Sequence, residues 1–187
     1  MTKYYREGKL ERALIKMRKR GISDVPGLYK GEAAVLCETA RLAPDGVALE
    51  IGVRFGHSII LWGAERVGRG PIVGIELEDR PLMRSNVADS GLPIDIIIGD
   101  SATVSIPWRE LAFLFVDGDH RKAGLSCDMR RYLPLIVPDG IVVFHDYGHS
   151  KKRYPEFAVT ECVRKWHKAT GWEKLGRKRH AIAFRKP

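Results

Sequence analysis

The sequence predicts a three-layer α/β sandwich built on a mostly parallel, seven-stranded sheet that ends in an antiparallel hairpin. Five short apolar runs alternate with longer stretches of helical periodicity. Runs that are apolar on both faces are typical of parallel strands covered by helices. Two more strand-like segments near the C-terminus, separated by a basic turn, predict the closing hairpin.

Length and composition are those of one globular domain. The chain has 187 residues, of which 44% are hydrophobic and 29% are charged. We therefore expect a single domain over residues 1–187, with an N-terminal helical extension at 1–43 and a core at 45–187. No apolar run approaches the roughly 20 residues that a membrane helix needs, and no secretory signal is visible at the N-terminus.

The cysteines indicate a reducing environment. Cys37, Cys127 and Cys162 are far apart and odd in number, and none belongs to a C-x-x-C pair. This pattern supports neither a disulfide framework nor a zinc site, so we expect a cytoplasmic protein.

Two amphipathic helices are expected before the first strand. The first spans 3–20, with apolar residues at helical spacing and Lys or Arg between them. The second spans about 30–42 and places four small or apolar residues on one face: Ala33, Leu36, Cys37 and Ala40. These helices have three alternative uses, namely a lid over a substrate, a homodimer surface or plain packing.

The remaining elements follow from the alternation of apolar runs and helical periodicity. The expected strands are 47–51, 72–75, 94–98, 111–116 and 141–144. The expected helices are 57–67, 80–89, 121–137 and 156–170. The hairpin is expected to pair 171–175 with 181–185 across a basic turn at 176–179.

The net charge of +9 is concentrated at the two ends of the chain. Residues 1–30 carry a net charge of +6, residues 31–149 carry −6, and residues 150–187 carry +9. One interpretation is an anionic partner such as nucleic acid. The other is a pair of solvated helical faces and a basic tail. We favour the second, because the basic runs lack the interleaved aromatic residues of a single-strand binding surface.

A glycine loop follows the first expected strand. Glu50 ends that strand, and Gly52-x-x-x-Gly56-x-Ser58 comes directly after it. Glycines let the backbone turn tightly and approach a ligand, and the next helix presents free N–H groups there. A dinucleotide site would show the spacing G-x-G-x-x-G. The wider spacing and the preceding acid favour a ligand with a cationic amino-acid portion.

Acidic residues also end the second and third expected strands. Glu76 can accept hydrogen bonds from both hydroxyls of a ribose, and Asp100, followed by Ser101, can reach the amino group of adenine. Each acid alone could equally be a turn or helix cap. Because carboxyl ends of parallel strands meet at one edge of the sheet, the three signals together predict a nucleoside cofactor site.

Acids and histidines follow the fourth and fifth expected strands. Asp117 and His120 come after the fourth strand, and His145 and Asp146 after the fifth. Asp117, His145 and Asp146 could converge on a divalent cation, with His120 nearby as a general base. The plain alternative is that Asp117 belongs to a capping turn and His145 is a hydrogen-bonded core residue.

Residues 49–58 resemble motif I of the class I S-adenosylmethionine (SAM)-dependent methyltransferases, which have a Rossmann-like fold. The resemblance continues through Glu76, Asp100 and 115–147, and covers about residues 45–185. It implies that the glycine loop holds the methionine portion of SAM, Glu76 the ribose, and Asp100 with Ser101 the adenine. The cofactor-binding residues expected on this basis are Glu50, Gly52, Phe55, Gly56, Ser58, Glu76, Asp100, Ser101 and Asp117.

The segment from Asp117-Gly118-Asp119-His120 to the later His-Asp-Tyr is similar to a narrower group. This group contains small-molecule O-methyltransferases, among them macrocin O-methyltransferase. The similarity implies that Asp117 and Asp146 bind a metal, and the position of His145 beside Asp146 after the fifth strand makes His145 the expected third ligand. The similarity also implies that His120 acts as the catalytic base, together with Asp117. The expected reaction is methylation of a hydroxyl on a small molecule by SAM, with Mg²⁺ or another divalent cation.

Three other functions remain open. The positive charge raises the alternative of a nucleic-acid methyltransferase, although no Asn-Pro-Pro-Tyr-type motif for base methylation is present. A second alternative is a non-methylating member of the fold that binds SAM or a metal. A nicotinamide-dependent dehydrogenase is disfavoured by the glycine spacing.

Overall fold

A computed structural model describes residues 30–187 and shows a central sheet between two layers of helices. The elements in chain order are α1 (Lys30–Leu42), β1 (Ala48–Ile51), α2 (His57–Gly63), β2 (Ile72–Glu76), α3 (Pro81–Ser90), β3 (Ile94–Ile98), β4 (Leu111–Val116), α4 (Lys122–Tyr132), a 3-10 turn (Leu133–Leu135), β5 (Ile136–Phe144), α5 (Val159–Thr170), β6 (Glu173–Lys178) and β7 (Ala181–Arg185). The helix expected at 3–20 lies outside the described residues. The helix expected at 30–42 is confirmed as α1.

The seven strands lie in the order β3-β2-β1-β4-β5-β7-β6. The first five strands in this order pair in parallel, and β7 runs antiparallel between β5 and β6. This arrangement confirms the predicted fold class. The strand order reverses between β1 and β4, and open α/β sheets bind ligands outside the carboxyl ends of the strands at such a point.

Two hydrophobic cores form, one on each face of the sheet. Helices α1, α2 and α3 cover one face, where Trp62 packs against Phe113 with ring centroids 5.1 Å apart. Helices α4 and α5 cover the other face, where Tyr132 and Val163 are fully buried. Every residue of β1, β2 and β4 is buried, including the strand acids Glu50 and Glu76, as expected of strands covered by helices on both faces.

Several predicted boundaries were wrong. The helix expected at 121–137 ends at Tyr132, because Pro134 lacks the N–H that would continue it. The strand expected at 141–144 begins at Ile136 and includes a distortion at Asp139, which has a positive φ of 60°. The pairing of β4 with β5 shifts register across the same stretch.

Three further boundaries differ from the prediction. Helix α2 ends at Gly63 rather than at 67, and α5 begins at Val159 rather than at 156. Strand β6 covers Glu173–Lys178 rather than 171–175, so the hairpin turns at residues 179–180. The residues expected to form the basic turn are therefore mostly strand. None of the helices in the described part of the chain has the length and apolar character needed to cross a membrane.

A buried arginine anchors α1 to the rest of the fold. The guanidinium of Arg66, which is fully buried, donates hydrogen bonds of 2.7–3.2 Å to the carbonyl oxygens of Ala40, Ala43, Pro44 and Gly46. These carbonyls lie at the end of α1 and just beyond it, where a helix leaves its acceptors without intrahelical partners. Burial lowers the pKa of Arg66 to about 10, so the group stays charged at neutral pH.

We expect Arg66→Met to lower the free energy of unfolding by about 3 kcal/mol or more, because four carbonyl oxygens each lose a hydrogen bond from a buried charged donor. Urea unfolding followed by circular dichroism measures the change. The control is Arg84→Met, which removes a surface arginine that pairs with Asp79, and a change within about 0.5 kcal/mol is expected there. Equal effects of the two substitutions would contradict the anchoring role.

Candidate active site

A cavity of about 620 Å³ lies where the strand order reverses. Its walls come from the loops that follow β1, β2, β3 and β4, with one residue contributed from the end of β5. The lining residues are 51–55, 57–58, 75–77, 99–101, 117–121 and 145. This is the edge of the sheet at which the sequence places both the cofactor loop and the acid–histidine residues.

Most of the predicted cofactor residues line this cavity. Seven of the nine are in its walls: Gly52, Phe55, Ser58, Glu76, Asp100, Ser101 and Asp117. Glu50 and Gly56 are not among the lining residues. Gly56 caps α2 with a φ of 89°, and a Cβ there would lie 3.3 Å from the side chain of Val87 on α3.

Gly52 allows the loops after β1 and β4 to meet. Its φ is 87°, and a Cβ at this position would lie 2.3 Å from the carbonyl oxygen of Asp117. No side chain can be accommodated at that distance. The first glycine of the motif is therefore required to place the cofactor loop beside Asp117.

Glu50 lies beneath the loop and joins β1 to α2. Its fully buried carboxyl group accepts hydrogen bonds from the Ser58 hydroxyl and the Trp62 indole. Burial raises the pKa of Glu50 to about 8, although these two hydrogen bonds favour the ionised form. The residue therefore holds the start of α2 in place, and its link to the cavity runs through Ser58.

Glu76 and its neighbour Leu77 form another part of the wall. The Oε2 atom of Glu76 accepts a 2.6 Å hydrogen bond from the backbone N–H of Arg54, so β2 supports the glycine loop. Leu77 is 66% exposed, which is unusual for a large apolar side chain beside a cavity. Leu77 was not predicted from the sequence, although an apolar residue directly after a strand-end acid is a readable signal.

The acids and histidines form one cluster, as expected for neighbouring strands β4 and β5. His120 Nε2 contacts Asp146 Oδ2 and lies 3.4 Å from Asp117 Oδ1. His145 Nδ1 lies 3.1 Å from Asp117 Oδ1 and 3.3 Å from Asp146 Oδ2. Two imidazoles and two carboxylates thus alternate around one point.

The charges in this cluster stabilise one another. Burial opposes the charged form of His145, but Asp117 and Asp146 outweigh it and raise its pKa to about 11. At His120, too, the two aspartates outweigh the effect of burial, and they raise its pKa to about 9. Although burial also disfavours the ionised carboxyl of Asp146, its two histidine neighbours hold its pKa far below the ordinary range.

The cluster has the donor set of a divalent cation site. Ligand atoms of Asp117, His120 and Asp146 all lie within 4.8 Å of one another. The Nε2 atom of His120 is buried at contact distance from carboxylate oxygens, yet outside hydrogen-bond geometry. Carboxylate oxygens and imidazole nitrogens that converge on one point fit Mg²⁺, Mn²⁺ or a similar ion.

The third position of this set differs from the expected one. The sequence pattern suggested His145 beside Asp117 and Asp146, whereas the group of converging atoms includes His120. His145 is 7% exposed and lies between the two aspartates and a carboxylate behind it, Glu32.

Three neighbours of the cluster were not found from the sequence. Glu32, on α1, is fully buried with Oε2 3.6 Å from His145 Nε2. His149 Nε2 lies 2.8 Å from Asp146 Oδ1. Phe157 stacks on the ring of His120 with centroids 4.5 Å apart. Glu32 did carry a signal, because it falls four residues before Leu36 and so on the apolar stripe of α1.

Solved structures with the same fold include several methyltransferases. An O-methyltransferase from Bacillus cereus in complex with SAH has 15% identity and a TM-score of 0.66, covering 96% of this chain and 91% of that one. TomG from Streptomyces achromogenes, an O-methyltransferase in complex with SAM, has 19% identity and a TM-score of 0.62, with coverages of 96% and 90%. A methyltransferase from Geobacter sulfurreducens has 15% identity and a TM-score of 0.70, with coverages of 96% and 90%.

A family model described as a methyltransferase domain matches residues 49–147. The match is just over half of the chain, and it runs from the glycine loop to the residue after Asp146. It therefore contains every residue that lines the cavity and the four acids and histidines of the cluster. By this match the chain belongs to the family of methyltransferase domains, as the motif at 49–58 indicates.

Proposed function

We propose that this chain transfers the methyl group of SAM to a hydroxyl of a small molecule, assisted by a divalent cation. One observation carries the proposal: a single cavity is bordered by the glycine loop on one side and by Asp117 and His120 on the other. Its volume of about 620 Å³ is within the range of small-molecule sites and suits a nucleoside cofactor with a small acceptor. The SAH and SAM named for two of the similar structures support the choice of cofactor.

The cofactor half of the cavity would bind SAM along the ends of three strands. The loop at 52–58 is suited to the methionine portion, and Glu50 supports it from below through Ser58. The Glu76 carboxylate faces the cavity and suits ribose hydroxyls. We propose that the exposed face of Leu77 packs on the adenine, whose amino group is within the reach of Asp100.

The catalytic half would act on the acceptor hydroxyl. Asp117 and Asp146 would hold the cation, and positive charge bound there lowers the pKa of a nearby hydroxyl. The two carboxylates that raise the pKa of His120 to about 9 would be neutralised by the same cation, so that its imidazole, at the cavity wall, could take the hydroxyl proton and the acceptor oxygen could take the methyl group. The chain contributes mainly proximity and electrostatics, because the sulfonium leaving group belongs to the cofactor.

The same Nε2 atom of His120 cannot bind a cation and accept a proton at once. We propose the role of base for His120 and the role of ligand for the two aspartates. Phe157 stacks on the imidazole at an angle of 10° and restricts its rotation, which suits a base that must keep one orientation.

The cofactor is tested directly by thermal shift with SAM, SAH and NAD, each with and without Mg²⁺. SAM and SAH should each raise the melting temperature, because a ligand present at 100 times its Kd stabilises the native state by about 2.7 kcal/mol. NAD should have no effect. A rise with NAD and none with SAM or SAH would contradict the proposal.

Asp146→Asn should reduce Mg²⁺-dependent turnover on the order of 100-fold or more while leaving SAM affinity nearly unchanged, because it removes a ligand charge outside the cofactor half. SAH release is measured with a panel of phenols, sugars and other hydroxylated small molecules, and SAM affinity by calorimetry. Loss of SAM affinity alone would contradict the assignment.

The matched control for this substitution is Asp95→Asn, which removes the same charge from an exposed position on β3 and should leave turnover unchanged.

His120→Asn distinguishes the role of base from the role of metal ligand for that residue. If His120 is the base, the variant should lose about 100-fold in turnover while its Kd for Mn²⁺ stays unchanged. If His120 is a metal ligand, the variant should also bind Mn²⁺ more weakly. Methylation of RNA or DNA, with binding that weakens steeply as salt rises, would instead support the nucleic-acid alternative.

Glu50→Gln should remove a pH-dependent loss of stability. The carboxyl of Glu50 keeps its proton to about pH 8 in the folded chain, whereas in the unfolded chain it loses it near pH 4.5. The folded state therefore binds more protons between these values, and stability falls as the pH rises, by at most about 1.4 kcal/mol per pH unit. Gln keeps an oxygen that can accept from the Trp62 indole N–H and an amide N–H that can donate to the Ser58 hydroxyl, without this dependence.

The measurement is urea unfolding of both proteins at several pH values from 5 to 8. The difference in free energy of unfolding should move steadily in favour of Glu50→Gln across that range. Glu110→Gln, at an exposed position, should track the wild type. A constant difference between Glu50→Gln and the wild type would show that Glu50 is ionised in the folded chain.

A further inference from the structure

Helix α1 carries two acidic residues with opposite environments. Glu38 is exposed, whereas Glu32 is fully buried although it lies on the stripe that also carries Leu36 and Ala40. Burying a carboxylate costs several kcal/mol unless it is paired. An apolar side chain would pack there without this cost. The partners of the Glu32 carboxylate must therefore offset the cost of its burial.

The two oxygens of Glu32 face different parts of the structure. Oε1 accepts a 3.0 Å hydrogen bond from the backbone N–H of His180, in the turn between β6 and β7. Oε2 lies 3.6 Å from Nε2 of His145. The opposite nitrogen of that ring, Nδ1, faces Asp117 and Asp146. The His145 ring is therefore placed between the carboxylate of α1 and the two carboxylates of the cluster.

A second route also leads from Glu32 to Asp146. The ring of His180, whose backbone Glu32 binds, stacks on His149 with centroids 3.6 Å apart and an interplanar angle of 9°. His149 Nε2 lies 2.8 Å from Asp146 Oδ1. Each oxygen of the Asp146 carboxylate is therefore contacted by a histidine that is linked to Glu32. Oδ2 is contacted by His145, which faces Glu32, and Oδ1 by His149, which stacks on His180.

We propose that Glu32 is a positioning residue that orients the His145 ring toward Asp117 and Asp146, so that the N-terminal helix completes the active site. The inference rests on the proposed function, because it concerns the same cluster. A carboxylate behind an imidazole fixes which way the ring faces. Glu32 is absent from the cavity wall, so it acts through His145 and not on a ligand.

A simpler role for Glu32 would be to tether α1 to the hairpin through the His180 N–H alone. Glu32→Gln separates the two roles, because the amide oxygen still accepts that hydrogen bond while the charge facing His145 is lost. Glu38→Gln removes the same charge from an exposed position on the same helix. Leu36→Ala weakens the packing of α1 and leaves both acids in place.

Mn²⁺ binding to the full chain is measured by calorimetry for the wild type and the three variants. Glu32→Gln should weaken Mn²⁺ binding about 10- to 100-fold, as is usual when a group behind a metal site is removed. Glu38→Gln should bind as the wild type does. Leu36→Ala should lower the melting temperature without a matching loss of Mn²⁺ affinity. Wild-type Mn²⁺ affinity in Glu32→Gln would overturn the proposal.

A second measurement does not depend on added metal. The ring ¹⁵N signals of His145, recorded in long-range ¹H–¹⁵N spectra of the full chain, should move by several ppm in Glu32→Gln and stay in place in Glu38→Gln. Unchanged His145 signals in Glu32→Gln would contradict the positioning role even if the wild type bound no Mn²⁺. If the signals move but the wild type binds neither SAM nor SAH, the proposed function fails and the orientation of His145 by Glu32 stands.

Discussion

The close approach of Gly52 to the carbonyl oxygen of Asp117 is the constraint on which the site depends. Strands β1 and β4 are neighbours, with Ile51 in register with Val116, so the loops that follow them leave the sheet side by side. Only a residue without a Cβ fits between them. Because of this contact, the loop suited to a cofactor and the acid that begins the cluster border the same cavity.

The acid–histidine cluster can be partly buried because its charges neutralise one another. Desolvation alone would raise the pKa of Asp146 and lower that of His145, yet both groups shift the opposite way because each carboxylate contacts imidazoles. A group of buried charges is tolerated only when it is mutually paired. The pairing keeps two carboxylates ionised near the cavity, and ionised carboxylates are the ligands that a divalent cation needs.

Features encoded by neighbouring residues could be predicted from the sequence, and features set by distant contacts could not. The apolar runs predicted the strands, and the residues at strand ends, such as Glu76 and Asp117, predicted most of the residues that line the cavity. Strand β5 was predicted too short because its distortion at Asp139 reflects pairing with β4. Glu32 was missed because its partner His180 is 148 residues away in the chain.

The corrected position of the hairpin turn gives the N-terminal helix its link to the site. Because β6 continues to Lys178, the turn falls at 179–180 and places His180 beside the end of β5, where Phe144 pairs with Ile182. Arg66 holds the carboxyl end of α1 and Glu32 holds its beginning, so the helix is fixed at both ends. A helix fixed in this way can orient a histidine reproducibly, which a loosely attached extension could not do.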